Sequence, residues 1–323
     1  MKNFSFGILT ALVLVSFCAC SKDAENSETR FLLDTVVTLS AQCSDKVLSS
    51  AFSECERYEK LFSATVKSSD VYKLNSSTDN DSPVKISKDT KEILERSVYY
   101  SEKTGGKFDI TVYPVSSLWN FKNETVPERD EIAQALRRVG YDSIDIEDGG
   151  TKLNGAMVDL GGIAKGYIAD RLLDFFKAKS VKSGIINLGG NVLVFGDKEY
   201  RVGIKKPFSD ENECIAFLNL KNKSAVTSGI YERCFYKDNK LYHHIIDPET
   251  GYPAESDLVS ATVISDSSFD ADALSTCSIL LGERKAAELI ESTAETEAVF
   301  VNKDGKITYT SGLKKEKNDF YIK

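Results

Sequence analysis

The chain has 323 residues, 41% of them hydrophobic and 28% charged, with a formal net charge of −8. That composition belongs to a globular protein and excludes a disordered one. It also argues against a nucleic-acid partner, which calls for a basic face; an anionic small molecule stays possible if a metal or helix N-termini supply local positive charge.

In chain order, the first signal is an export segment. Lys2 gives a positive start, and Phe4 to Phe17 form an apolar run too short to span a bilayer comfortably. The run ends in Phe17-Cys18-Ala19-Cys20-Ser21, which resembles a bacterial lipobox with Cys20 as the lipidated residue. Phe17 stands where Leu is usual, and plain signal-peptidase cleavage or an uncleaved anchor is the other reading. Residues 1–20 are thus expected to be a lipoprotein signal peptide, residues 21–30 a polar tether and residues 31–323 one domain, held at the bacterial cell envelope and facing the periplasm or the exterior. Beyond the export segment, Cys43, Cys55, Cys214, Cys234 and Cys277 form no C-x-x-C pair, so buried free thiols are expected rather than zinc or a disulfide framework.

Phe31 to Ser40 is β-branched and apolar and predicts a strand. Leu48, Phe52, Cys55, Tyr58 and Phe62 recur at gaps of three and four and predict a helix over 45–62. Ser68 to Ser82 has loop composition. Ser87 can cap a second helix to Lys103, which Gly105-Gly106 stops. Pro127 opens a third through Arg138, and Ile163 to Lys179 makes a fourth. Val181 to Phe195 reads as strand, turn, strand around Gly189-Gly190. Further strands are expected over 200–205, 215–220 and 258–264, a helix over 268–281 and a hairpin of 298–301 with 306–309. With no fixed repeat and no long linker, one compact α+β domain is the simplest reading.

Four stretches carry chemistry. Gly105-Gly106-Lys107-Phe108-Asp109 puts an aromatic beside an acid after two glycines, which suits a nucleoside; a helix cap followed by a strand with Phe108 in the core fits equally. Val158-Asp159-Leu160-Gly161-Gly162-Ile163-Ala164-Lys165-Gly166 has the strand-end, glycine, helix layout of an anion site, or simply of close backbone packing. His243-His244 are the only histidines and precede the turn Asp247-Pro248-Glu249-Thr250-Gly251. One of them can face a site as a general base, because neighbours on a strand point to opposite faces. Asp272 and Thr276 lie one helical turn apart, a hard-oxygen pair suited to Mg²⁺; the other reading is a threonine bonding back to its own helix.

Taken together, these stretches resemble the ApbE family of flavin transferases. The matching segments are Leu33-Asp34-Thr35, Leu61-Phe62-Ser63, Gly106 to Val112 with Pro114 and Trp119, Asp159 to Gly166 with Asp170, and Asn187 to Asn191. Thr227-Ser228-Gly229, His244 to Pro253 and Ala271 to Thr276 complete the series, in family order. The resemblance implies a T-fold-like α+β domain with mixed or antiparallel sheets and flanking helices. It implies Mg²⁺ as cofactor and FAD as substrate, with FMN passed to a Ser or Thr hydroxyl of an acceptor protein and AMP released. It assigns Gly162, Asp272 and Thr276 to the metal and Leu33, Thr65, Lys107, Phe108, Asp109, Asp159, Lys165 and Ile246 to the flavin nucleotide. His244 is assigned as the base. Thr65 lacks the aromatic that family members often place nearby, a face worth about 1 kcal/mol of stacking. Its loss admits water as a rival nucleophile, so a Mg²⁺-dependent FAD pyrophosphatase is one alternative. A flavin-binding lipoprotein without chemistry is another.

Overall fold

The computed structural model describes residues 25–78, 82–209 and 213–323. The export segment and Cys20 lie outside the described residues. Among those described, the strands are β1 (Asn26–Leu32), β2 (Thr35–Ala41), β3 (Asp145–Glu147), β4 (Gly150–Lys152), β5 (Gly184–Leu188), β6 (Asn191–Phe195), β7 (Tyr200–Lys205) and β8 (Cys214–Leu220). They continue as β9 (Lys223–Gly229), β10 (Cys234–Lys237), β11 (Lys240–His243), β12 (Leu258–Ser265), β13 (Thr296–Asn302), β14 (Ile307–Tyr309), β15 (Leu313–Glu316) and β16 (Asp319–Ile322). The helices are α1 (Asp45–Phe62), α2 (Asp70–Asn75), α3 (Lys88–Lys103), α4 (Tyr113–Ser116), α5 (Arg129–Leu136), α6 (Ala164–Ala178), α7 (Ser268–Leu281) and α8 (Glu283–Glu291).

Eight strands form the central sheet in the order β1-β2-β5-β6-β9-β12-β13-β14, antiparallel throughout. Strand alternation gives that sheet two different faces. Ile186, Leu193, Val226, Ala261 and Phe300 point into the core shared with α1, α6 and α7. Their neighbours Ile185, Val192, Val194, Ala225, Ile264 and Val299 pack against the inner face of a second sheet, through Val202, Ile204, Leu218 and Phe320. That second sheet runs β15-β16-β8-β7. The result is three layers, helices on sheet on sheet. A small third core gathers Val115, Trp119, Ile132 and Ile246 at the edge of the helical layer.

The expected single α+β domain is what folds, with several local differences. The first strand is a hairpin. Leu33 and Asp34 form its tip with φ of 55° and 54°, and Asn26 to Thr29, expected as tether, belong to β1. Asp tolerates that backbone region but Leu is strained there. The Leu33 N–H is held by Glu59 Oε1 at 2.8 Å, which fixes the turn against α1. Residues 70–75, expected as loop, are helical because Ser69 caps the Tyr72 N–H at 2.8 Å. Six residues are too few to show a helical period. Of the five cysteines, all are free; Cys55 and Cys277 are buried as expected, whereas Cys214 is exposed.

Candidate active site

Helices α6 and α7 meet at glycine. A methyl group built on Gly166 would lie 2.2 Å from the Ser268 carbonyl oxygen and 2.7 Å from Asp272 Cβ, so only glycine permits this approach. The Gly166 N–H points across the crossing and donates to Asp272 Oδ2 at 2.8 Å. That N–H is one of the first-turn donors that have no partner within their own helix, and the carboxylate of Asp272 satisfies it. The Gly162 carbonyl, just before the helix, and Asp272 Oδ1 have no hydrogen-bond donor among the described residues. Gly162 sits beside Thr276: a methyl group built on it would lie 3.6 Å from Thr276 Oγ1.

The crossing is held from several sides. Asn75 clamps Val158, donating from Nδ2 to its carbonyl at 2.9 Å and accepting its N–H at 2.7 Å. Asp159 Oδ1 accepts the Gly161 N–H at 2.6 Å. Asp170, on α6, caps α7 by accepting from Ser267 Oγ and from the Ser268 and Phe269 N–H groups at 3.0–3.2 Å. Burial raises Asp170 to about 6 against the pull of those hydrogen bonds.

Gly162, Asp272 and Thr276 therefore lie near one crossing, and their chemistry fits a hard divalent cation. No group of three His, Cys, Asp or Glu able to hold a metal exists among the described residues. An ion taken here would be bound by one carboxylate, one hydroxyl and one carbonyl, with water and substrate oxygens making up the rest. That is the usual coordination of Mg²⁺ rather than of zinc.

The two histidines stand at the end of β11 and just past it, with different partners. His243 ends β11 and is buried, with Nε2 3.1 Å from the Ala254 carbonyl oxygen; burial pushes it down to about 4. His244 follows, its backbone N–H donating to the Arg233 carbonyl at 3.1 Å. Burial, then the positive charge of Arg233, push His244 down to about 3, and Lys165 adds to the effect. Its imidazole is thus neutral, with Nδ1 buried and free of any hydrogen bond. Lys165, in the first turn of α6, donates to the Gly161 carbonyl at 3.2 Å. Arg233 also reaches the Asp34 carbonyl at 3.4 Å, which draws the first hairpin tip, with Leu33, toward the His244 segment.

The Gly105–Asp109 stretch serves a different purpose from the one its composition suggests. Phe108 is 3% exposed, and its ring lies under Gly162, 3.4 Å from where a Cβ would sit. It supports the Gly162 loop rather than offering an open stacking face. Ile110–Val112 is a 3₁₀ turn, not a strand, because Asp109 Oδ1 caps it, accepting from the Thr111 N–H at 2.7 Å and Oγ1 at 2.6 Å. Asp109 Oδ2 accepts the Tyr141 N–H at 2.9 Å. Burial raises Asp109 in spite of these bonds. Lys107 pairs with Asp247 at 3.0 Å and Glu249 at 2.6 Å. Burial lowers its pKa, but the hydrogen bonds to Glu249 and Asp247 more than reverse that. The aromatic that faces open space is Tyr141. It lines a shallow cleft of about 260 Å³ with Gly105, Gly106, Asp109 and Glu249. Ile246 is buried in the third core, and Thr65 is exposed just beyond α1, its hydroxyl 3.1 Å from Ser63 Oγ. Tyr141, Asn75 and Arg233 escaped the sequence reading; Gly140 before Tyr141 was the one local signal.

An antiparallel sheet sandwiched between helices and a second sheet, with an oxygen-donor cluster where two helices cross at glycine, defines the class: a single-domain α+β protein. The ApbE family model matches residues 33–300, and the chain belongs to that family. The FAD:protein FMN transferase of Klebsiella pneumoniae (strain 342) is 33% identical over 287 residues, covering 87% of this chain and 90% of the relative. That of Treponema pallidum (strain Nichols) is 31% identical over 289 residues, covering 82% and 80%. The crystal structure of the ApbE protein from Thermotoga maritima superposes with a TM-score of 0.80 at 31% identity, covering 89% of this chain and 97% of the other.

Proposed function

We propose that the protein transfers FMN from FAD to a Ser or Thr hydroxyl of an acceptor protein. The observation that carries the reading is the α6–α7 crossing, where Gly162, Asp272 and Thr276 present oxygens beside the anion-binding loop of Lys165. The acceptor oxygen bonds to the FMN phosphorus, the bond from that phosphorus to the AMP oxygen breaks, and AMP leaves. His244 is the candidate to take the hydroxyl proton, its imidazole kept neutral by burial. Gly162, Asp272 and Thr276 would hold Mg²⁺, which would offset pyrophosphate charge when bound. Lys165 adds a full positive charge, and Asp159 braces its loop. Lys107, Phe108 and Asp109 build the wall on which Tyr141 presents its ring, and Leu33, Thr65 and Ile246 complete the nucleotide's surroundings.

Hydrolysis to FMN and AMP is the second reading, favoured by an exposed Thr65 with no ring in its place. Incubation with FAD and Mg²⁺, with and without a flavin-acceptor protein, separates the readings. AMP release only with acceptor supports transfer. AMP with free FMN in its absence supports hydrolysis, and no AMP in either case leaves a binder. The envelope location rests on residues 1–20, since no helix among the described residues is long and apolar enough to cross a membrane. Cys20→Ser is expected to move the protein out of the membrane fraction, and unchanged retention would refute lipidation.

A further inference from the structure

Behind the α6–α7 crossing runs a chain of hydroxyls whose direction can be worked out proton by proton. Ser224, Val226 and Ser228 occupy the face of β9 that meets α7. Ser224 Oγ donates to Ser268 Oγ at 2.9 Å. Ser228 Oγ lies 2.7 Å from Ser275 Oγ and 3.3 Å from Thr276 Oγ1. Ser275 Oγ donates to the Asp272 carbonyl at 2.9 Å. That carbonyl, four residues before Thr276, is the one a helical threonine commonly bonds back to.

Each hydroxyl has one proton. Either oxygen could donate in the two Ser228 contacts, but the carbonyl has no proton to give, so the one assignment that satisfies all three contacts has Ser275 donating to the carbonyl. In it Ser228 donates to Ser275 across 2.7 Å, and Thr276 donates to Ser228 across 3.3 Å. The polarity runs one way: Thr276 to Ser228 to Ser275 to the Asp272 carbonyl.

We infer that Ser228 is a positioning residue. It draws the Thr276 proton inward and leaves that oxygen's lone pairs for a cation, so Thr276 acts as a ligand and not as a hydrogen-bond donor to phosphate. The inference rests on the reading of Asp272 and Thr276 as metal ligands. Thr276 is partly accessible while Ser275 is buried, so the relay is sealed at its inner end and open at the outer one.

The test is a Mn²⁺ titration of the full protein without FAD, following free Mn²⁺ by electron paramagnetic resonance, beside a melting curve. Ser228→Ala is expected to weaken Mn²⁺ binding about tenfold or more, the usual effect of removing a group that orients a ligand. Ser228→Thr, which keeps the hydroxyl, is expected to restore most of the affinity. Ser275→Ala is the decisive variant. Ser275 touches neither Gly162 nor the carboxylate of Asp272, yet its loss frees the Ser228 proton to turn toward Thr276, and Mn²⁺ affinity is expected to fall. If Ser228→Ala and Ser275→Ala lower the melting temperature and leave Mn²⁺ affinity unchanged, the relay is only structural and the inference is overturned. If Ser228→Ala weakens binding and Ser275→Ala does not, Ser228 acts directly and the relay is again refuted. Asp272→Ala separates this from the underlying reading: Mn²⁺ binding that survives it removes the metal site itself.

Discussion

The two faces of the central sheet are covered by different kinds of layer, and β9 shows the contrast one residue at a time. Toward α7 it presents Ser224, Val226 and Ser228, two of which bond to that helix. Toward the second sheet it presents Ala225, which joins the apolar sheet-on-sheet core. The helical face also buries Asp272, Ser268, Ser275 and Asn191, whereas the core beneath the second sheet is built from Val, Ile, Leu, Ala, Phe and Tyr. Burying polar groups costs free energy unless each finds a partner. The helical face accepts that cost where chemistry is proposed, and on the opposite face the buried Thr262 hydroxyl is satisfied by Thr227 at 2.8 Å.

Substitutions on each face can break this division. The largest effect is expected from Asp272→Ala, which should lower AMP release by at least about a hundredfold at ordinary Mg²⁺, judged against the losses seen when ligand shells are disturbed. Full activity would refute the metal assignment. Leu218→Ala, on the opposite face, is expected to cost about 2–5 kcal/mol in urea denaturation. Turnover per folded molecule should stay unchanged, and a fall would show that the two faces are coupled. Gly166→Ala drives a methyl group into the Ser268 carbonyl. It is expected to cost about 1–3 kcal/mol of stability and, unlike Leu218→Ala, to reduce AMP release as well.

The smallest effect concerns acid. His243 titrates at about 4 in the folded chain and near 6.5 when unfolded. Between those values the unfolded chain binds the extra proton, so stability is full above about 6.5 and falls as pH drops toward 4. From pH 7.5 to 5.5 His243 and His244, both pushed down by burial, are each expected to contribute a loss of about 1 kcal/mol, which the raised Asp170 partly offsets. Urea midpoints at the two pH values measure the sum, and His243→Gln should shrink the difference by about 1 kcal/mol.

Helices with long apolar periods or clear caps, such as α1, α3, α6 and α7, were legible in the sequence, whereas the grouping of Gly162 with Asp272 and Thr276 near one crossing came only through the family resemblance. Short elements were not. Residues 70–75 carry no period, and their helix depends on one serine cap. The turn at Leu33-Asp34 breaks the rule that such tips favour Asn or Gly, which hid the first hairpin inside one apolar run. Phe108 stayed open between a stacking face and a core ring because local composition cannot tell a ring that opens to a cleft from one that packs beneath Gly162. The link from Ser228 to α7 depends on how β9 lies against a helix some forty residues later, which no local pattern records.

The cross-helix amide of Gly166 has a thermodynamic consequence. Just before α6 stands the Gly162 carbonyl with no donor among the described residues, and across the crossing stands a carboxylate oxygen in the same condition. A cation that satisfies both would tie the two segments together, so occupancy and local order become linked quantities. Melting temperature should then climb with the logarithm of Mg²⁺ concentration, by about 2.7 kcal/mol of stabilisation at a hundred times the dissociation constant. A chelator should loosen this helix start before it loosens anything on the far side of the sheet.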